Sequence, residues 1–231
     1  MASRECWDVF AVFISNHDKM VAIWCQKAND IVVWDYHVVL VVRPRLEPTL
    51  HQQDSGDNGS SDTNRNPESP ESWIYDFDTR LPMPYRAAEY MMNSFPYAFQ
   101  GKDVIDPRYV SLFRVVSIQD YLDHFASDRS HMIVRQTDAQ LREEHEGEVA
   151  DVLPGTIRYS SPPPLYPPLC GAKAREKGVG HNLMESFVSM RVAHAQDPLE
   201  GRKDPAVDSY GEVMDLYTFL GWVGVDTELR N

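Results

Sequence analysis

The sequence predicts an α+β domain, mainly an antiparallel sheet flanked by helices. Three observations carry this. Apolar, β-branched and aromatic runs of strand length crowd residues 7–42, with short polar turns between them. A further strand-like run resumes abruptly after a polar tract. Runs with helical spacing then dominate the second half. At 231 residues the chain suits one large domain, 1–231, carrying insertions.

The elements follow in order. Trp7–Ile14 is aromatic and β-branched on both faces, which suits a buried central strand. SNHDK reads as a turn and Met20–Cys25 as a second strand, so the first two strands should form a hairpin. Ile31–Val42 reads as a third strand and extends an antiparallel meander. From Glu47 to Ser72 the composition collapses into Pro, Ser, Asp, Asn, Gly and Gln, too polar to bury a core. Residues 47–72 are therefore expected to be a disordered insertion between two strands. Trp73–Phe77 resumes the sheet. Arg86–Asn93 suits a short helix and Ser111–Val116 another strand. SIQDYLDHF starts with Ser117 and Asp120 in a capping-box-like arrangement, with Ile118, Tyr121, Leu122 and Phe125 at helical spacing. A second, strongly charged insertion is expected at 136–160, followed by the extended SPPPLYPP run. Asn182–Met190 and Ser209–Trp222 both show helical spacing.

Bulk properties narrow the partners. The net charge is −13, and nucleic acid or an anionic membrane would need a basic face. A cationic ligand such as a peptide α-amine is compatible; so is plain solvation of the insertions. Three cysteines, Cys6, Cys25 and Cys170, make no disulfide framework and suit the reducing cytoplasm or nucleus. MASRECWDVF lacks a basic region followed by an apolar run, so no signal peptide is expected, and the longest apolar run is broken by Asp35 and His37. No heptad stands out, so a monomer is expected.

Two runs concentrate the chemistry: VVWDYHVV, with His37, and WIYDFDT, with Asp76 and Asp78. Alternation puts Val33, Asp35, His37 and Val39 on one face, and Ile74, Asp76 and Asp78 on another. If the two strands pair antiparallel, an imidazole and a carboxylate fall within hydrogen-bond reach. Such a pair is two-thirds of a nucleophile–base–orienter triad. It equally satisfies two polar groups in a core. His37, Asp76 and His131 form a metal set without ligand spacing, and no metal or cofactor is expected. Asp35, between Trp34 and Tyr36, reads as fixing a loop or binding an amine, and Asp78 as capping the turn into LPMP; both add negative potential near His37. In FASDRSHM, Ser127 and Asp128 should end the preceding helix and pair with Arg129.

AVFISN, VVWDYHVVL, IYDFDT, FASDRSHM, PPPLYP and NLMESFVSM, in this order, resemble the protein N-terminal glutamine amidohydrolases. The resemblance covers most of the chain outside the two polar insertions. It implies a papain- or transglutaminase-like fold and a metal-free Cys-His-Asp triad. The implied reaction turns an N-terminal Gln of a protein or peptide into Glu and ammonia, feeding the arginylation branch of the N-degron pathway. His37 maps onto the triad histidine and Asp76 onto its aspartate, leaving Asp78 in support. The family nucleophile lies in a Cys-x-Cys-Glu-Glu-Asn segment ahead of AVFISN. No such segment occurs here, and Cys6 is the one cysteine upstream. The expectation is a chain lacking the family's N-terminal helix and inactive or nearly so. The alternatives are a non-catalytic binder of protein N-termini, or Cys6 as a relocated nucleophile.

Overall fold

Strand β1, Trp7–Ser15, runs through the middle of a six-stranded sheet and is fully buried from Ala11 to Ser15. The computed structural model describes residues 7–45, 71–100, 104–133, 159, 162, 165–191 and 209–225. The insertion expected at 47–72 falls outside these residues except for its last two positions. That expected at 136–160 falls outside them except for Tyr159. Val12 and Ile14 face one apolar cluster, Ala11 and Phe13 another. A strand apolar on both faces needs cover on both, and β1 has it.

Four more early strands follow: β2 (Val21–Trp24), β3 (Ile31–Trp34), β4 (His37–Pro44) and β5 (Trp73–Tyr75). β6 (Tyr85–Arg86) leads into helix α1 (Ala87–Ser94), then α2 (Tyr97–Gln100). β7 (Leu112–Ser117) runs into α3 (Ile118–His124). β8 (Ala126–Ser127) pairs with β9 (Leu169–Cys170), and α4 (Ala172–Glu176) follows. A π-helical stretch spans Leu183–Val188, and β10 (Glu212–Asp215) and α5 (Leu216–Trp222) close the described chain. The main sheet has the order β10-β7-β1-β4-β5-β6, with every neighbouring pair antiparallel. Among the described residues no helix is long and apolar enough to cross a membrane.

One face of the sheet presents Val39, Val41, Ile74 and Phe113 to α1, α2 and α5. Helix α1 buries Ala87, Tyr90, Met91 and Ser94, the i, i+3, i+4, i+7 stripe of an amphipathic helix. Phe113 and Phe219 stack with centroids 4.2 Å apart. The other face packs Phe13 and Val116 against Phe125, Leu183, Phe187 and Met190. Arg114 stands fully buried in β7 and donates to the carbonyls of Ser189, Arg191 and Tyr210. Those bonds tie the segment after the π-helix to the sheet.

Three expectations are corrected. The first two strands are no hairpin: β2 pairs with β3 in a separate two-stranded sheet, and both edges of β1 are taken by β4 and β7. The reason lies at Asn16. Its side chain accepts from the N–H groups of Asp18 and Met20 and donates to the carbonyls of Met20, Arg108 and Val110, steering the chain off the ladder. The run Ile31–Val42 is also two strands. The carboxylate of Asp35 accepts from the Tyr36 N–H, while Ser15 Oγ donates to the Asp35 carbonyl, and the chain changes sheets there. Finally, Ser209–Trp222 is not all helix. Glu212–Asp215 pairs with β7, and Asp215 then caps α5 by accepting from the Thr218 N–H at 2.7 Å. The Ser117 cap of α3 is present as expected, although Leu122 is exposed.

Candidate active site

β4 and β5 pair antiparallel through Leu40↔Tyr75, Val41↔Ile74 and Val42↔Trp73. Extended by three residues, this register would set His37 opposite residue 78. The ladder stops at Tyr75, however, and Phe77–Asp78 turn outward to solvent. The diagonal neighbour, Asp76, therefore meets the imidazole. Asp78 does not share the inward face expected of it.

His37 Nε2 lies 2.9 Å from Asp76 Oδ1, with both residues buried at 4% and 2% exposure. An ionised carboxylate only accepts, so Nε2 carries the hydrogen and Nδ1 is left for proton chemistry. Three further donors converge on the same carboxylate. The Asp78 N–H reaches Oδ1 at 2.9 Å; Tyr90 Oη–H and Gln26 Nε2–H reach Oδ2 at 2.8 and 3.3 Å. Burial pushes the Asp76 pKa up. The hydrogen bond and charge of His37, with the Asp78 and Tyr90 donors, outweigh it, and the group ends below the usual carboxylate value. Tyr90 shifts the other way: burial and the Asp76 charge hold its phenol well above its ordinary range.

An open pocket of about 380 Å³ adjoins His37, lined also by Trp34, Asp35, Tyr36, Val38, Asp78, His131 and Met132. The break at Asp35–Tyr36 lets the Trp34 ring come within 5.2 Å of the imidazole, centroid to centroid. Tyr36 Oη and His131 Nε2 are 3.3 Å apart. Burial, then the charge of Asp35, pushes the Tyr36 pKa up to about 12. His131 is shifted down by burial and by the neighbouring His181, whose ring stacks on it at 5.6 Å. Both Tyr36 and His131 are thus neutral near pH 7. Arg129 does not pair with Asp128; it donates to the Tyr166 carbonyl, while Asp128 faces His181 at 3.3 Å.

The metal reading is narrowed by these contacts. His131 is not in the cluster; His37, Asp76 and Asp78 bring ligand atoms within 4.8 Å of one another. The donor set around Asp76 consists of N–H and O–H groups aimed at an anion, which suits a hydrogen-bonded carboxylate better than a metal ligand. Of the cysteines, Cys25 is half-buried with a left-handed φ of 58°, and its Sγ faces the Asn93 carbonyl at 3.7 Å. Cys170 Sγ faces the carbonyls of Gly171 and Val179. No cysteine is among the described residues lining the pocket. Cys6 lies outside the described residues.

Gln26 and Tyr90 were not legible as site residues. Tyr90 carried one signal: a phenol on the apolar stripe of a helix must find a buried partner. Gln26 carried none.

Comparison with known proteins bears on what this pocket does. A sequence model of the family described as N-terminal glutamine amidase matches residues 1–222. A protein N-terminal glutamine amidohydrolase of Arabidopsis thaliana is 29% identical over 232 residues, covering 95% of this chain and 82% of that protein. The Danio rerio protein of the same name is 32% identical, covering 94% of this chain and 76% of its own length. The Homo sapiens protein is 40% identical over a shorter stretch, 56% of this chain and 50% of its own length.

Proposed function

The chain belongs to the N-terminal glutamine amidase family, and we propose that its pocket hydrolyses the side-chain amide of an N-terminal Gln on proteins or peptides. The products are N-terminal Glu and ammonia. The observation that carries this reading is the buried His37–Asp76 pair, 2.9 Å apart, beside an open pocket. Asp76 holds the imidazole with Nδ1 unprotonated and stabilises the imidazolium once formed. In the reaction the family resemblance implies, a cysteine gives its proton to His37 and its thiolate attacks the γ-carbonyl carbon of the substrate; the described lining of this pocket holds that base and no thiol. The tetrahedral intermediate collapses, and the departing nitrogen leaves as ammonia with the proton from His37. Water, deprotonated by His37, then cleaves the thioester and returns the thiol. Asp35 and Asp78 line the pocket, and their charge favours a free α-ammonium over an internal peptide nitrogen.

In the same reading the fold is a relative of the papain and transglutaminase architectures. The product feeds the arginylation branch of the N-degron pathway, and the chain works in cytoplasm and nucleus as a monomer. The free thiols of Cys25 and Cys170 support a reducing compartment.

A second reading, a binder of protein N-termini that does no chemistry, is favoured by one observation: the described lining of the pocket offers no thiol. One assay separates the two. The full chain and its His37→Ala variant are incubated with a Gln-initiated peptide, with ammonia and binding both followed. Ammonia release lost in His37→Ala supports the hydrolase. Peptide binding without ammonia release establishes the binder.

A further inference from the structure

We infer that Gln26 and Tyr90 are positioning residues for the proposed deamidation, two donors on separate elements that fix the Asp76 carboxylate and, through it, the tautomer of His37. The inference rests on the reading of His37 as the base.

Asp76 needs such support because the sheet does not supply it. The β4–β5 ladder ends one residue earlier, at Tyr75. A carboxylate held by His37 alone could rotate and offer either oxygen. Here each oxygen receives two donors. Oδ1 takes His37 and the Asp78 N–H; Oδ2 takes Tyr90 and Gln26. The plane of the carboxylate is thereby fixed, and an acceptor fixed in front of Nε2 fixes which imidazole nitrogen is protonated.

The three supporting donors arrive from three directions. Tyr90 projects from α1 on the stripe that also buries Ala87, Met91 and Ser94. The Asp78 N–H comes from the turn after β5. Gln26 comes from the segment that leaves β2, one residue past Cys25, whose left-handed φ turns the chain. Its segment is locked to the turn that follows Asp76. The Lys27 N–H donates to the Asp78 carbonyl at 2.7 Å. Thr79 Oγ1 and the Arg80 N–H donate to the Cys25 carbonyl at 3.1 and 2.7 Å. Gln26 itself bridges to Thr79.

The Gln26 amide shows what it is for. It is fully buried, and its Nε2 must face the carboxylate, because Oε1 there would set two acceptors against each other. The consequence is that Oε1 finds no partner among the described residues. A residue selected for packing alone would avoid a bare buried acceptor, which an apolar side chain of similar volume does not create. The amide nitrogen serves two acceptors, Asp76 Oδ2 at 3.3 Å and the Trp24 carbonyl at 3.4 Å, neither of which an apolar side chain could serve.

The test uses the full chain labelled with ¹⁵N-histidine, and the variants Tyr90→Phe, Gln26→Leu and their combination. The ring-nitrogen shifts of His37 report its tautomer. kcat and KM on a Gln-initiated peptide and the thermal midpoint are measured alongside. The parent should show the Nε2–H tautomer. The variants should show a growing Nδ1–H fraction, largest in the double variant, with kcat at least roughly tenfold lower and KM within about twofold. A parental tautomer in the double variant overturns the inference, even if the thermal midpoint falls. Should the double variant fail to fold, Tyr90→Phe decides alone, since it removes one hydroxyl and keeps the ring. A parent that releases no ammonia defeats the deamidation reading, yet the tautomer comparison still decides this one.

Discussion

Replacing Asp76 by Asn removes charge while keeping shape, and the hydrogen bonds define what is lost. The two carboxylate oxygens accept from four donors: His37 Nε2 and the Asp78 N–H on one, Tyr90 Oη and Gln26 Nε2 on the other. An amide has one oxygen. Whichever way it turns, two of the four donors meet an NH₂ group. Two hydrogen bonds to an ionised acceptor, at about 1.5–3 kcal/mol each, give a loss of about 3–6 kcal/mol. Relief of the buried charge offsets part of it, so the net expectation is about 3 kcal/mol. The loss should also depend on pH. The native pKa of Asp76 lies below the ordinary carboxylate value. Its stabilising contribution is therefore complete above the unfolded-state value and disappears as pH falls through the native one. Urea denaturation of both proteins at neutral pH and near pH 3 measures this. The gap should be about 3 kcal/mol at neutral pH and shrink at low pH, while ammonia release falls by roughly 10²–10⁴-fold. A gap under about 1 kcal/mol at neutral pH, or one unchanged in acid, refutes the account of Asp76 as a charged acceptor.

Two other substitutions test the scaffold. Gly211 has a φ of 74°, and a Cβ there would sit 2.1 Å from the Val115 carbonyl oxygen; Gly211→Ala should lose more than about 2 kcal/mol in chemical denaturation, since left-handed backbone alone accounts for roughly 1–2. Arg114→Met strips the donors from three carbonyls, two of them after the π-helix. It should lower stability by about 3 kcal/mol and raise amide hydrogen exchange in residues 186–191 more than in β4.

The sequence exposed the site better than the topology. His37 and Asp76 could be brought together on the condition that their strands pair antiparallel, which they do; the shared face expected of Val33, Asp35 and His37 fails, because Val33 and Asp35 are exposed while His37 is buried. Strand partners are set by contacts distant in sequence, which local patterns do not carry. Val21–Trp24 is as good a strand as any, but whether it joins β1 depends on Asn16 reaching Arg108 and Val110, far away in sequence. The split at Asp35–Tyr36 was hidden because the residues on both sides remain apolar and β-branched. β10 was masked by Val213, which happens to fall at helical spacing from Leu216 and Leu220. Gln26 was invisible for the plainest reason: a glutamine after a strand is an ordinary turn residue until its partner is known.

The placement of the polar tract between β4 and β5 has a consequence for how this chain tolerates change. His37 and Asp76 are separated by 38 intervening positions, yet their meeting is dictated by the Val41↔Ile74 register and not by the length of chain between the strands. The entropy of closing a loop grows by only about 0.6 kcal/mol for each doubling of its length. Residues can therefore accumulate or vanish between these two strands, or a whole domain be inserted there, while the imidazole and the carboxylate keep their distance. The His37–Asp76 pair is insulated from the length of the polar stretch that joins its two strands.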